Sequence, residues 1–187
     1  ISDFKQIIEG EHYFVDKSLF IRDIIYGGGV VLFARPRRFG KTLNMSMLRY
    51  FYDLGAGDNA HLFDGLAISR EAACMKKQGK HPVIFLSFKD VKKTSWEEMH
   101  QQLASLIQTE TWRFLYLLES AELNEVEKKK LKALADGSAT SLEYVESLQF
   151  LSHLLARHHA SKTVILIDEY DSPIHAAWLN GFFSTAI

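Results

Sequence analysis

Two short groups of residues have the types and spacing needed to handle a phosphate. The first is Arg35-Pro36-Arg37-Arg38-Phe39-Gly40-Lys41-Thr42, which closes in Gly-Lys-Thr just before the apolar-periodic segment Leu43 to Leu48. A helix opening at Lys41 aims several unpaired backbone N–H groups, and its dipole's positive end, at one point where polyphosphate can sit. Lys41 would reach the outer phosphates, and Thr42 would hold Mg²⁺ through its hydroxyl. The second group is Asp168-Glu169-Tyr170-Asp171, which ends the apolar run Val164 to Ile167. Adjacent carboxylates at the end of a buried strand repel each other, and each is expensive to desolvate unpaired. A Mg²⁺ ion held by Asp168 relieves this and leaves Glu169 to orient and deprotonate a water attacking a γ-phosphate. The plainer alternative for the same four residues is an acidic surface turn.

The first group departs from the usual G-x-x-x-x-G-K-[ST] spacing in one place, because Arg35 stands where the first glycine would be. That position favours a residue without Cβ, so the loop's entry must be shaped differently, with Pro36 and its fixed φ as the available device. The candidate nucleotide contacts are Arg37, Arg38, Phe39, Gly40, Lys41, Thr42 and Leu43. Arg37 and Arg38 have two readings, phosphate contact or pairing with an acid such as Asp16 or Asp171. Phe39 is better suited to packing beneath the loop than to touching a ligand. Tyr170 and Asp171 would either shape the water site or make a turn with Pro173.

These residues need strands and helices to carry them. Val30 to Phe33 reads as the strand feeding the loop, and Lys41 to Tyr52 as the helix leaving it. Upstream, Leu19, Ile21, Ile24 and Ile25 form the inward face of a helix capped by Asp16 or Ser18 and stopped at Gly27-Gly28-Gly29. Its place before the loop suits either base contact or ordinary packing. His81 to Phe88 is a second strand, apolar enough to be buried on both faces as in a parallel sheet. Ser95-Trp96-Glu97-Glu98 opens a helix to about Glu119 with a capping box, Glu122 to Ala135 forms another that stops near Gly137, and Thr140-Ser141-Leu142-Glu143 opens a third running to Arg157. The Lys128-Lys129-Lys130 run is a solvated helix face, and His158-His159 complement a helix C-terminus. Thr163 to Ile167 is the last strand, and Ala177 to Ile187 an interrupted helix or a connection.

Composition limits the wider possibilities. The chain has 187 residues, 47% of them hydrophobic and 24% charged, which suits one soluble globular domain or slightly more. A net charge of −1 offers no global attraction to nucleic acid or to a membrane. Cys74 is the single cysteine, so a disulfide framework and a cysteine metal site are excluded and a reducing, cytoplasmic setting fits. No apolar window reaches the roughly 18–20 residues of a membrane helix.

Both chemical groups follow buried strands, and in a parallel sheet the C-terminal ends of such strands share one edge, where ligands bind. The chain therefore reads as an α/β P-loop nucleoside triphosphatase: a parallel sheet covered by helices on both faces. Lys41 and Glu169 are its catalytic candidates, Thr42 and Asp168 its Mg²⁺ ligands, and ATP and Mg²⁺ its ligand and cofactor.

Tyr13-Phe14-Val15-Asp16-Lys17, Arg35 to Leu48, His81 to Phe88 and Ile165 to Asp171 together resemble the predicted AAA-ATPase-like family of bacteria, over about residues 8–176. Arg35 at the first-glycine position is usual in that family. The resemblance implies ATP with Mg²⁺, and members often carry a C-terminal PD-(D/E)XK nuclease-like domain. It further implies the additional-strand type of P-loop fold, in which a sensor strand follows the aspartate-bearing strand in sequence and lies between it and the loop-bearing strand. Nothing from Tyr170 to Ile187 supplies that strand. The expectation is thus an N-terminal ATPase domain over residues 1–187, with a helical segment at about 95–158 and with the rest of the ATPase, its arginine finger, its lid and any effector domain outside the chain. The expected work is Mg-dependent ATP hydrolysis that drives or gates an attached effector. A nucleotide-dependent switch with little hydrolysis is the alternative, and a P-loop kinase a weaker one. Expected partners are ATP, a C-terminal nuclease-like or other effector domain and further copies of the chain. No membrane partner is expected, and nucleic acid would be reached only through the missing part.

Overall fold

The structure is a computed structural model that describes residues 2–33, 39–55 and 58–186. The chain divides into two compact units, Ile1–Val83 and Ile84–Ile187.

The first unit is built from short helices. Helix α1 (Phe4–Glu9) starts where the Asp3 carboxylate accepts the Gln6 N–H. Helix α2 (Leu19–Tyr26) follows, with Ile21 fully buried. Helix α3 (Lys41–Tyr52) occupies the range that its apolar spacing predicts and buries Met47, Leu48 and Phe51. Its Ser46 hydroxyl accepts the Phe4 N–H at 3.0 Å, and its Tyr50 hydroxyl donates to Asp3 at 3.1 Å, so α1 is tied to α3 by polar bonds as well as packing. Phe4, Phe51 and Phe63 are fully buried, with Phe63 5.2 Å from Phe4 and 5.3 Å from Phe51 between ring centroids. Two 3₁₀ turns, at Ala60–Phe63 and Ala67–Arg70, and the short helix α4 (Ala72–Met75) follow.

The Tyr13 to Ser18 segment holds this unit together in a way its apolar pattern does not announce. The Asp16 carboxylate accepts the Ser18 N–H at 2.8 Å and the Ala67 N–H at 2.7 Å, and the buried Ser18 hydroxyl accepts the Ile68 N–H at 3.0 Å. Burial pushes the Asp16 carboxyl up, but the Ser18 hydroxyl, these amides and the charge of Arg70 outweigh it and hold the group below its ordinary value. Asp16 therefore has its own backbone partners around the start of α2, while Ser18, at the N-cap, makes no side-chain capping bond.

One expectation about this unit fails. Val30 to Phe33 belongs to no strand or bridge, and Val30 is 95% and Leu32 69% exposed. β-branched residues favour a pleated surface only when a neighbouring strand supplies the ladder and the cover. The isolated β-bridge described in this unit joins Asp53 and His81, far along the chain from Val30.

The second unit carries the sheet. Strands β1 (Val83–Ser87), which begins at the unit boundary, and β2 (Val164–Asp168) pair in parallel, and the Phe88 N–H donates to the Asp168 carbonyl at 2.9 Å just beyond. The molecule is thus a mixed α/β structure with a two-stranded parallel sheet. Helix α5 (Trp96–Trp112) starts at Ser95, whose hydroxyl accepts the Glu98 N–H, and ends earlier than the apolar spacing predicts. The Trp112 indole N–H and the Gln108 amide both donate to the Ala135 carbonyl, which fastens the last turn of α5 and leaves Leu115–Glu119 as a 3₁₀ turn. Helix α6 (Glu125–Asp136) has a full capping box between Asn124 and Glu127 and stops at Gly137, which sits at φ 84°. A Cβ there would come within 3.2 Å of Gln108.

The third predicted helix is divided into α7 (Ser141–Val145), opened by a capping box between Thr140 and Glu143, and α8 (Ser147–His158). The buried Ser147 hydroxyl donates to the Tyr144 carbonyl at the break. Ile84 and Leu86 of β1 join Phe114, Leu117, Leu131 and Leu151 in the main core. Helix α9 (Ser172–Leu179) places Ala176 against Val91 and Met99 in a second cluster, and α10 (Phe183–Ala186) follows, the interrupted helix being one of the two forms predicted for this end. Among the described residues no helix is long and apolar enough to cross a membrane.

Candidate nucleotide and metal site

In the first unit, the segment that would bind phosphate is described from Phe39 onward; Arg35, Pro36, Arg37 and Arg38 lie outside the described residues. Gly40 is the N-cap of α3 in the left-handed region, at φ 75° and ψ 22°, and its carbonyl accepts the Asn44 N–H at 2.9 Å. That bond begins the helical ladder, so the amides of Lys41, Thr42 and Leu43 precede it and have no intrahelical acceptor. A helix of 12 residues with three such amides and a lysine at its first position has the electrostatics an anion requires. Lys41, Thr42 and Leu43 are partly buried. Phe39 is 55% exposed, so the expectation that it packs beneath the loop is not met. Its neighbour Gly40 reverses the backbone and leaves the ring outside the α3 core.

In the second unit, β2 ends at Asp168, which is 4% exposed. One carboxylate oxygen, Oδ1, accepts the Glu169 N–H at 3.1 Å. The other, Oδ2, is fully buried and has no hydrogen-bond partner among the described residues. A buried carboxylate oxygen with no donor is costly, and a hard divalent cation is the partner that oxygen chemistry prefers. The residue present therefore fits Mg²⁺. Among the described residues no three His, Cys, Asp or Glu side chains gather as a metal cluster.

Glu169 follows at φ 50°, a left-handed conformation that is uncommon outside glycine. Its side chain is partly buried, and Oε2 accepts a hydrogen bond from the Ser172 hydroxyl at 3.2 Å. Tyr170 is 49% exposed and Asp171 is the N-cap of α9 with no side-chain capping bond. The Ser172 N–H closes a turn on the Glu169 carbonyl, and the His175 N–H starts the helix on the Asp171 carbonyl. For Tyr170 to Pro173 the turn reading is thus the one the geometry carries. Ser172 was not among the candidates, and its one sequence signal was its place before Pro173 at the start of a helix.

Four other polar groups singled out in the sequence have structural partners. His158 bonds Ser120 at 2.8 Å and His159 bonds the Tyr116 hydroxyl at 2.7 Å. Lys128 pairs with Glu125, and Lys130 pairs with Glu146 while lying over the Phe150 ring.

The two described groups of site residues belong to different units, with Gly40 to Leu43 in the first and Asp168 and Glu169 in the second. Comparison with known proteins adds what each group alone does not carry. A family model described as Predicted AAA-ATPase matches residues 1–186. A protein of Azotobacter chroococcum mcd 1, described as "Uncharacterized protein in vnfD 5'region", is 30% identical over 178 residues, covering 93% of this chain and 28% of the relative. The chain thus spans between a quarter and a third of that relative's length. No solved structure matches the chain.

Proposed function

Because the chain belongs to the predicted AAA-ATPase family, we propose that it binds ATP with Mg²⁺ and hydrolyses it, with the energy driving or gating an attached effector. The observation that carries this reading is Asp168, a buried carboxylate whose Oδ2 has no donor among the described residues, directly followed by a carboxylate held at a left-handed φ. A structural turn would gain nothing from such a pair.

In this mechanism the amides of Lys41 to Leu43 and the Lys41 ammonium bind the phosphates, with Arg37 and Arg38 as further cationic contacts and Phe39 and Gly40 completing the loop. Thr42 and Asp168 are the residues that would hold Mg²⁺, and the ion when bound would supply neutralisation of phosphate charge. Glu169 orients a water in line with the γ-phosphorus and accepts its proton as the new P–O bond forms and the bond to the β-phosphate oxygen breaks. ADP and phosphate leave.

The accompanying fold reading is the additional-strand type of P-loop domain. Among the described residues β2 pairs with β1 alone, which is compatible with a further strand on its other edge. Most of the Azotobacter relative's length lies outside the match, so that protein has room for a further domain of the kind proposed.

Steady-state phosphate release by wild type and Glu169→Gln tests the proposal. The expected result is a loss of roughly two to four orders of magnitude in kcat, as for removal of a general base, with nucleotide affinity retained. ATP binding with wild-type turnover no faster than Glu169→Gln would make the chain a nucleotide-dependent switch, and transfer of labelled γ-phosphate to an acceptor other than water would make it a kinase.

A further inference from the structure

Glu169 is held at three points. Its N–H donates to Asp168 Oδ1 at 3.1 Å, its carbonyl accepts the Ser172 N–H at 3.0 Å, and its Oε2 accepts the Ser172 hydroxyl at 3.2 Å. Two of the three bonds come from Ser172, the first residue of α9. That helix is anchored by Ala176, which packs against Val91 and Met99. A left-handed φ in a non-glycine residue persists only where its surroundings over-determine it, and here the turn from Asp168 to Ser172 does so.

The side-chain bond has a separate consequence. A glutamate has three side-chain torsions to order, and a base that wanders cannot keep a water in line. A donor on Oε2 fixes the carboxylate plane while Oε1 keeps its lone pairs for a second partner.

Resting on the reading of Glu169 as the water-activating carboxylate, we propose that Ser172 is a positioning residue, whose hydroxyl holds Glu169 in the orientation that hydrolysis needs. It touches neither nucleotide nor metal in this scheme and acts through Glu169 alone. It should therefore influence kcat rather than nucleotide affinity, and only while Glu169 is a carboxylate.

The test compares wild type, Ser172→Ala, Ser172→Thr, Glu169→Gln and the Ser172→Ala/Glu169→Gln double variant of the 187-residue chain. Phosphate release, affinity for a fluorescent non-hydrolysable ATP analogue and thermal midpoint are measured for each. Ser172→Ala is expected to lower kcat roughly tenfold to a hundredfold, the scale set by a misplaced catalytic group. KM, analogue affinity and thermal midpoint stay near wild type. Ser172→Thr, which keeps the hydroxyl, recovers most of the rate, and in the Glu169→Gln background Ser172→Ala has no further effect. A kcat for Ser172→Ala equal to or above wild type overturns the assignment. So does an equal loss in both backgrounds, or a loss accompanied by weaker analogue binding and a lowered thermal midpoint, either of which would mark a structural role. If wild type exceeds Glu169→Gln but Ser172→Ala matches wild type, only the Ser172 assignment falls. If wild type is no faster than Glu169→Gln, the hydrolytic reading fails and this one fails with it.

Discussion

The Glu110 carboxylate of α5 accepts the backbone N–H of Phe85 in β1 at 2.8 Å. Because the Phe88 N–H points at β2, the alternation of a strand turns the Phe85 N–H to the opposite edge. A helix side chain thus occupies a donor on the outer edge of β1, and Arg113 pairs with the same carboxylate. Glu110 is 8% exposed, so its charge is compensated from two directions. Glu110→Ala removes both of these bonds. The expected cost is about 2 kcal/mol, within the range for lost charge-assisted bonds, read as a lower urea midpoint. Glu110→Gln, which keeps an acceptor for Phe85 but not the ion pair, should cost less.

Asp168→Asn separates the metal role from the structural one. The amide oxygen can still accept the Glu169 N–H, while the buried charge at Oδ2 is removed. Metal-free thermal stability should rise or hold, because a buried unpaired carboxylate is costly. Stabilisation by Mg-ATP should disappear, where wild type at a hundredfold excess over Kd would gain about 2.7 kcal/mol. Differential scanning with and without Mg-ATP checks both halves, and an Asn variant still stabilised by Mg-ATP would remove Asp168 from the site.

Gly40→Ala tests the loop's backbone alone. A Cβ at Gly40 meets nothing within 4 Å, so the penalty comes from placing a non-glycine residue at φ 75°. That penalty is about 1–2 kcal/mol, and weaker nucleotide binding should accompany it, because relaxing φ swings the first amides of α3. Gly29→Ala, with open space and no left-handed φ, should be silent in both titration calorimetry and thermal unfolding.

Asp16 supplies a pH dependence. Its folded carboxyl sits below the ordinary value of 3.8, so the unfolded chain takes up the proton first as pH falls. The stabilisation is complete above that value and is lost as pH drops through the lower folded one. Asp16→Asn should therefore narrow the stability difference between pH 6 and pH 3, measured by urea unfolding at each pH. An unchanged difference would show that other carboxylates govern acid unfolding.

Local chemistry was legible in the linear order of residues. Ser95 and Glu98, Thr140 and Glu143, and the Lys41 to Tyr52 spacing carry their own start signals, because a cap or an apolar stripe is settled within one or two helical turns. The same holds for Asp168 and Glu169 at the end of an apolar run, and for the family membership that these motifs indicate. The cap at Asn124 that starts α6 three residues after the expected Glu122 came from the structure. Other features needed partners distant in sequence. Val30 to Phe33 has strand composition but no ladder in the described structure, because pairing depends on a neighbour and not on the residues alone. Asp16 reaches Ala67, Ser18 reaches Ile68, and Glu110 reaches Phe85, contacts that no local pattern encodes. Which residue types could bind phosphate and metal is written in the linear chain. That Asp168 Oδ2 has no donor among the described residues, and that Ser172 holds Glu169, follows from burial and side-chain orientation, which arise from packing around the turn.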